Sequence, residues 1–451
     1  MINLNLQKVA QILNAQLIGE SVNFSGVSID TRTLAKGNLY FAIIGTMADG
    51  HDFVESAKQA GAVAVVVQRK IEVELPQIIV SNTTLALGVL AHYWRMQFAI
   101  PVVGITGSCG KTTTTQMTGA ILSQMGMTLV PEGNLNNQWG VPLTLFRLKK
   151  QDKFAVIEMG ADRPGEIKYL ANIVKPTVAI VTNVAPVHLE VSKGIGFGSI
   201  EGVFQEKSEI FKALPDNGTA IVNADDHFYS EWRSLLQRHQ YISFGYQDAE
   251  VTAKNLKADE NIRYNFNLVT PRGDIKVKLS SLGRHNIMNA LAASAAALAL
   301  QIPLEKIKVG LANVPTVARR MIRVIAKNDA VLIDDSYNSN LKSVSAVLEM
   351  LADHNGLTIA ILGDMREIGA QSANFHRQVG EYAKALGIDH LYAYGKEAKM
   401  MAVGFGEGAY HFIDADELVA QVLPNLNAKT LVIVKGSLGM KMDYIVKALQ
   451  Q

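Results

Sequence analysis

The feature that most restricts this chain is a glycine-rich turn set between a strand-like run and a helix-like segment. Val102-Val103-Gly104-Ile105-Thr106 is apolar and β-branched, as a buried strand requires. It enters Gly107-Ser108-Cys109-Gly110, and Lys111-Thr112-Thr113 then opens a helix expected to reach about Met125. Glycines let successive backbone N–H groups converge on an anion. The helix N-terminus adds partial positive charge, Lys111 adds a full one, and the Thr112 hydroxyl can reach a Mg²⁺ ion. The segment is therefore a phosphate cradle at the carboxyl end of a strand. It departs from the strict G-x-x-x-x-G-K spacing, because Ile105 stands five residues before Gly110; the pattern is T-G-x-x-G-K-T-T.

A chain of 451 residues is too long for one core, so two or three domains are expected. Val102–Thr106, Phe154–Met159, Val178–Asn183 and Ala220–Asn223 read as buried parallel strands separated by helices. Residues 251–280 alternate instead, and predict an antiparallel hairpin added to that sheet, turning at Pro271-Arg272-Gly273-Asp274. A second α/β series follows Asn313-Val314-Pro315, with strands at Val331–Asp334, Ile359–Gly363, His390–Tyr394 and Leu431–Lys435. The first 80 residues form a smaller unit with strands Leu39–Ile43 and Ala62–Val67. The expected architecture is α/β in three domains. Residues 1–82 form a small N-terminal α/β domain, residues 83–315 a central P-loop-type, mostly parallel sheet, and residues 316–451 a Rossmann-like C-terminal domain.

Net charge is +2, from 43 basic and 41 acidic residues, which gives no electrostatic reason to expect nucleic acid or an anionic membrane as partner. Cys109 is the single cysteine, so no intrachain disulfide forms and a reducing compartment fits. The first residues lack a basic region followed by an apolar run, and the Ala-rich segment Ile287 to Ile302 is shorter than the roughly 20 residues that span a bilayer. A cytoplasmic protein, without membrane insertion, is expected.

Several polar residues follow strands, where open α/β sheets bind ligands. Glu158 ends a strand in Ile157-Glu158-Met159-Gly160, and His188 follows another in Thr182-Asn183-Val184-Ala185-Pro186-Val187-His188-Leu189. Each alone also suits a structural role, Glu158 as a helix N-terminal carboxylate. Lys207, between Glu206 and Ser208-Glu209 at the expected start of a helix, reads by itself as a solvated face residue. The Asn-rich stretch Gly133-Asn134-Leu135-Asn136-Asn137 offers amide donors and acceptors.

Taken together, these motifs resemble the Mur ligase family, whose members build the peptide of cell-wall precursors, and the related folylpolyglutamate synthases. The likeness covers about residues 1–450 with the motifs in order. It implies that Gly107, Ser108, Cys109, Gly110, Lys111, Thr112 and Thr113 bind ATP. It also implies that Thr112, Glu158, His188 and Lys207 hold Mg²⁺, two ions in all, with Lys207 carbamylated by CO₂. Leu282-Gly283-Arg284-His285-Asn286-Ile287-Met288-Asn289-Ala290 resembles the family's L-x-G-x-H-N-x-x-N-A box, one residue shorter, and places Asn286 and Asn289 at the nucleotide, although Asn286 also suits an N-cap. Asn137 joins the ATP site by the same likeness. Arg320 matches an arginine that reaches the triphosphate, although Arg319 stands beside it. Asp334-Asp335-Ser336-Tyr337-Asn338-Ser339-Asn340-Leu341 resembles D-D-S-Y-N-A-N-P, which places Asp335 at the ATP ribose and Asn338 and Asn340 near substrate. Lys111, Lys207, His188 and Asp335 are the implied catalytic set.

In the first 82 residues, Ser28, Asp30 and Arg32, and Gly45 and Thr46, match loops that hold a uridine diphosphate sugar. The stretches Leu362-Gly363-Asp364-Met365-Arg366-Glu367 and Val434-Lys435-Gly436-Ser437 resemble L-G-D-M-x-E-L-G and V-K-G-S-R of the branch that adds D-alanyl-D-alanine to a UDP-MurNAc-tripeptide. In this chain Leu438 stands where that branch has arginine, so a carboxylate-binding role there has moved or been lost. The absence of D-N-P-R disfavours the branch that adds diaminopimelate. The implied enzyme acts as a monomer on those two substrates; the third peptide residue stays open between diaminopimelate and lysine. Rival readings are a folate or other amino-acid ligase, and a nucleotide-dependent switch that hydrolyses ATP without an acceptor.

Overall fold

The computed structural model describes residues 1–191 and 195–450. Its centre is a six-stranded, wholly parallel sheet in the order Gln240–Phe244, Thr219–Asn223, Val178–Val181, Val102–Thr106, Phe154–Glu158 and Thr128–Leu129. The strand that feeds the glycine turn thus lies in the middle, between two later strands, at the point where chain order reverses. Ligands of open α/β sheets sit in the crevice at such a point. The five residues of Val102–Thr106 are all buried, which explains their uniform apolar character.

The alternating segment did not join this sheet. Thr252–Ala258, Arg263–Thr270 and Gly273–Leu282 form their own three-stranded antiparallel sheet, whose inward residues Phe266, Leu268, Val277 and Leu279 pack on the Ala-rich helix His285–Ala299. Alternation encoded a one-faced sheet, which belongs on the outside of a helix layer rather than within a sheet covered on both faces.

The C-terminal sheet runs Ile322–Ile325, Val331–Asp335, Thr430–Lys435, Leu357–Gly363, His390–Tyr394 and Ala409–Phe412. Five strands are parallel, as the sequence implied, but Ile322–Ile325 adds an antiparallel edge. Helices cover both faces. Near the N-terminus, a five-stranded sheet contains Leu39–Phe41 and Ala64–Val67, beside a two-stranded pair, Asn3–Asn5 with Asn23–Ser25. One apolar cluster runs from Ile2, Leu6 and Phe24 through Leu87 and Leu90 to Val102 and Ile157. The helix Thr83–Arg95 therefore glues the N-terminal unit to one face of the central sheet, and its buried residues serve both.

Candidate active site

The glycine turn is forced by its surroundings. Gly107 has φ 141°, and a Cβ there would lie 2.0 Å from Thr182 Oγ1; Gly110 has φ 81°, and a Cβ would lie 2.2 Å from Asn289 Oδ1. Only glycine combines such torsions with such close approach. The neighbouring strand end clamps the turn. Thr182 Oγ1 donates to Cys109 O at 2.6 Å, Cys109 N donates to Asn183 Oδ1 at 3.1 Å, and Ser108 N donates to Asn183 O at 2.9 Å. Gly110 then caps the helix Lys111–Leu122, shorter than the expected end at Met125.

Lys111 is partly buried and lines the cavity. Its Nζ donates only to Gly107 O at 2.8 Å and Ser108 O at 3.3 Å, and burial lowers its pKa, against the raising field of Glu158. Glu158 is itself buried and accepts one hydrogen bond, from Asn136 Nδ2 at 2.8 Å. Asn136 is thus the asparagine of this stretch that holds Glu158. Its neighbour Asn137 lines the same cavity but uses Oδ1 to cap the helix Gly140–Leu145 through Trp139 N and Gly140 N.

Lys207 overturns its solvated reading. It stands at the end, not the start, of the helix Ile200–Ser208, and its side chain is 1% exposed. Among the described residues Nζ hydrogen-bonds only to Ala161 O, at 3.5 Å, and it lies 5.3 Å from the centre of the Phe197 ring. Burial first, and then the charge of Lys111, lower its pKa to about 7. Glu206, equally hidden in sequence, accepts from Gly165 N and Ile167 N, both at 2.7 Å, and so fixes this helix to the start of Glu166–Val174. No sequence signal marked Glu206, because its partners are backbone groups 39 and 41 positions away; Asn136 lay in the marked Asn-rich stretch, but its partner Glu158, 22 positions away, did not show.

His188 sits at φ 49° and places Nδ1 2.6 Å from the carboxylate of Glu367 on the C-terminal unit. The imidazole holds the Glu367 carboxyl below its usual range. Among the described residues no three His, Cys, Asp or Glu side chains come together as a ready metal cage.

The nucleotide box is wired into the glycine loop. Asn289 Nδ2 donates to Asn286 Oδ1 at 2.8 Å, and Thr114 Oγ1 donates to Asn289 Oδ1 at 3.2 Å. Asn286 is not an N-cap; it lies inside the helix and donates to Leu282 O at 2.6 Å. The two arginines part company. Arg319 is committed to Ser336 and, at 3.2 Å, to Asp443, whereas Arg320 stacks 4.1 Å from the centre of the Tyr337 ring and lines the cavity. Asp335 pairs at 2.5 Å with buried Lys435, which also donates to Asn338 O at 2.8 Å. Asn340 caps the helix Leu341–Ala352 and accepts from Cys109 Sγ at 3.2 Å.

One cavity of about 1330 Å³ gathers Ser108 to Thr113, Glu158, His188, Asn286, Asn289, Arg320, Asp335, Asn338 and Asn340, and on its far wall Gly45 and Thr46. Ser28, Asp30 and Arg32 do not line it. Ser28 Oγ donates to Asp30 O, and the exposed Arg32 folds back on the Asp30 carboxylate at 2.6 Å. The cavity therefore spans all three sheet units, with Lys111 lining it at the end of the central strand; Lys207 is not among the lining residues.

Such a strand–loop–helix cradle, set against a second sheet's rim across one large cavity, fits a nucleotide-using enzyme. The chain belongs to the Mur ligase family. The Mur ligase middle domain matches residues 105–297, the Mur ligase glutamate ligase domain residues 319–438, and the Mur ligase family catalytic domain residues 23–93. It is 42% identical to the UDP-N-acetylmuramoyl-tripeptide–D-alanyl-D-alanine ligase of Escherichia coli, over 100% of this chain and 99% of the relative. A crystal structure of MurF from Acinetobacter baumannii superposes with a TM-score of 0.93 at 34% identity, covering 100% of this chain and 99% of that one. The MurF ligase of Thermotoga maritima in complex with ADP follows with a TM-score of 0.83 at 25% identity, covering 94% and 97%.

Proposed function

We propose that this protein is an ATP-dependent ligase that joins D-alanyl-D-alanine to UDP-N-acetylmuramoyl-tripeptide, releasing ADP and phosphate and forming the pentapeptide precursor of peptidoglycan. The observation that carries this reading is the glycine cradle with Lys111 at its end, opening into one long cavity that also reaches Arg320 and Asp335. A partly buried ammonium whose hydrogen bonds among the described residues go to backbone carbonyls favours an anion beside it. A triphosphate beside a substrate carboxylate supplies one.

The reaction runs through an acyl phosphate. The tripeptide carboxylate attacks the γ-phosphorus and ADP leaves. The neutral amine of the dipeptide then attacks the acyl carbon, gives up a proton, and phosphate departs from the tetrahedral intermediate. Carboxylate and γ-phosphate repel, so Lys111 screens both, while the N–H groups of Gly107 to Thr113 orient the phosphates. Arg320 adds charge from the C-terminal unit, and Asp335, braced by Lys435, is set to accept the ribose hydroxyls. Asn286 and Asn289 hold the floor of the nucleotide pocket. Gly45 and Thr46 take the sugar end of the tripeptide substrate; Ser28, Asp30 and Arg32 belong to the same N-terminal unit, outside the cavity wall.

The residues present suit Mg²⁺. Glu158 keeps Oε2 free of hydrogen bonds among the described residues, and with Thr112 it offers the hard oxygen donors that this ion selects. His188 completes the set when Glu367 yields. Bound Mg²⁺ supplies charge neutralisation of the phosphates. Lys207 fits carbamylation: an amine with a pKa near 7 is substantially neutral at physiological pH, adds CO₂ and loses a proton, turning an unpaired buried cation into an anionic oxygen donor.

The working division remains residues 1–82 for the UDP-sugar, 83–315 for ATP and 316–451 for the acceptor. The enzyme acts as a cytoplasmic monomer; among the described residues no helix is long and apolar enough to cross a membrane. Phosphate release measured with UDP-MurNAc-tripeptide and D-alanyl-D-alanine, a folate or diaminopimelate in turn tests the reading. Stimulation by D-alanyl-D-alanine alone, with a pentapeptide product by mass spectrometry, is expected. Acceptor-independent hydrolysis would instead mark a nucleotide switch.

A further inference from the structure

The acceptor dipeptide carries a carboxylate, yet position 438, where an arginine would follow Val434-Lys435-Gly436-Ser437, holds a half-exposed leucine. We infer that Arg366, from the neighbouring strand-end loop, provides the missing cation and binds the terminal carboxylate of D-alanyl-D-alanine; this inference rests on the ligase reading above.

Arg366 crosses to the very turn that lacks its arginine. Its Nη1 lies where a Cβ on Gly439 would come within 2.2 Å, and its Nη2 lies 3.6 Å from Met440 Sδ. The guanidinium thus lies over Leu438–Met440, the short helical turn that follows Ser437. A glycine at 439 leaves room for it. Among the described residues it pairs with no carboxylate, unlike Arg319 with Asp443 or Lys435 with Asp335. A guanidinium offers five donors in a planar fork suited to a carboxylate, and here a weak sulfur contact is its single side-chain partner.

The backbone beneath it is fixed from both sides. Arg366 N donates to Ser437 Oγ at 2.9 Å, and Ser437 N donates to Asp364 O at 3.2 Å. Met365 N donates to Nε2 of His376 at 3.0 Å; the other ring nitrogen, 2.7 Å from Ser372 O, is then the protonated one. His376 is fully buried, so the loop starts from a rigid anchor. The two strand ends are thereby laced together, and a cation launched from either can serve the same point in space.

Steady-state kinetics on Arg366→Ala, with D-alanyl-D-alanine and with its C-terminal amide as acceptors, tests the assignment. The wild type should prefer the dipeptide over the amide. In the variant, KM for the dipeptide should rise about 10- to 100-fold, the range expected for losing a charge-assisted hydrogen-bond pair, with kcat reduced far less. KM for the amide should barely move, so the preference collapses. Adding Leu438→Arg should restore much of the dipeptide KM. An Arg366→Ala variant that keeps the wild-type preference, or that loses both acceptors equally, overturns the assignment. A wild type that turns over neither acceptor removes the ligase reading and this inference with it.

Discussion

The two sheet rims that face each other across the cavity handle charge in opposite ways. At the central rim, Lys111 is partly buried and Lys207 buried, and neither amine meets a carboxylate among the described residues; their hydrogen bonds go to backbone carbonyls. At the C-terminal rim, Lys435 is as deeply buried but sits against Asp335, and Arg319 is spent on Ser336 and Asp443. The central rim therefore holds amines without counter-charges, which an anionic ligand would supply. At the C-terminal rim the Lys435–Asp335 pair is complete without a ligand and holds shape. Removing Lys111 should harm catalysis and spare the fold; removing Lys435 should harm the fold.

Lys111→Ala is the severest probe, with turnover expected to fall at least about a thousandfold, while the melting temperature holds or rises. A drop of several degrees by differential scanning calorimetry would break the contrast. Lys435→Met is its mirror image. It leaves Asp335 buried and unpaired, and should cost about 3 kcal/mol in urea unfolding; an unchanged midpoint would show that Asp335 rehydrates freely.

Lys207→Met tests the same contrast through pH. In the folded chain the amine titrates near 7, in the unfolded chain near its ordinary 10.5. Between these values the unfolded state binds more protons, so stability contributed by this group rises with pH across that window and is lowest below pH 7. The variant should flatten that rise, measured in CO₂-free buffer. The wild type should also take up ¹³CO₂ at one lysine by NMR above about pH 7 and lose the signal on acidification, whereas Lys207→Met should show none.

Smaller effects sharpen the division between the two arginines. Arg320→Ala should raise KM for ATP roughly 10-fold with little change in stability, and Arg319→Ala should do the reverse. The least effect is expected from Glu367→Ala. Its pair with His188 is largely exposed, worth under about 1 kcal/mol to stability, and calorimetry should detect little change.

Legibility in the sequence followed the range of the interactions. The cradle was readable because Gly107 and Gly110 state their backbone torsions locally, and the apolar runs state their burial. Glu158 and His188 were readable as strand-end residues, although that His188 meets Glu367 came from another unit. Glu206 and His376 carried no signal, since each is defined by a partner that the fold alone delivers; Asn136 was marked only as part of an Asn-rich stretch, without its partner Glu158. Lys207 was misread in isolation because flanking acids suggest solvent, whereas Glu206 in fact points inward to cap another helix.

By itself, then, the sequence determined the strand, glycine turn and helix around Gly107 and Gly110, that the main sheets are open and mostly parallel, and the order of motifs that places the chain among the Mur ligases. These rest on torsional preference and hydrophobic periodicity, which act over a few residues. Only the tertiary structure decided that Lys111 and Lys207 lack counter-charges, that Asp335 has one, and that Arg366 lies over the turn at Leu438. Desolvation and charge pairing depend on which distant segments exclude water from a side chain, and no window of sequence contains that information.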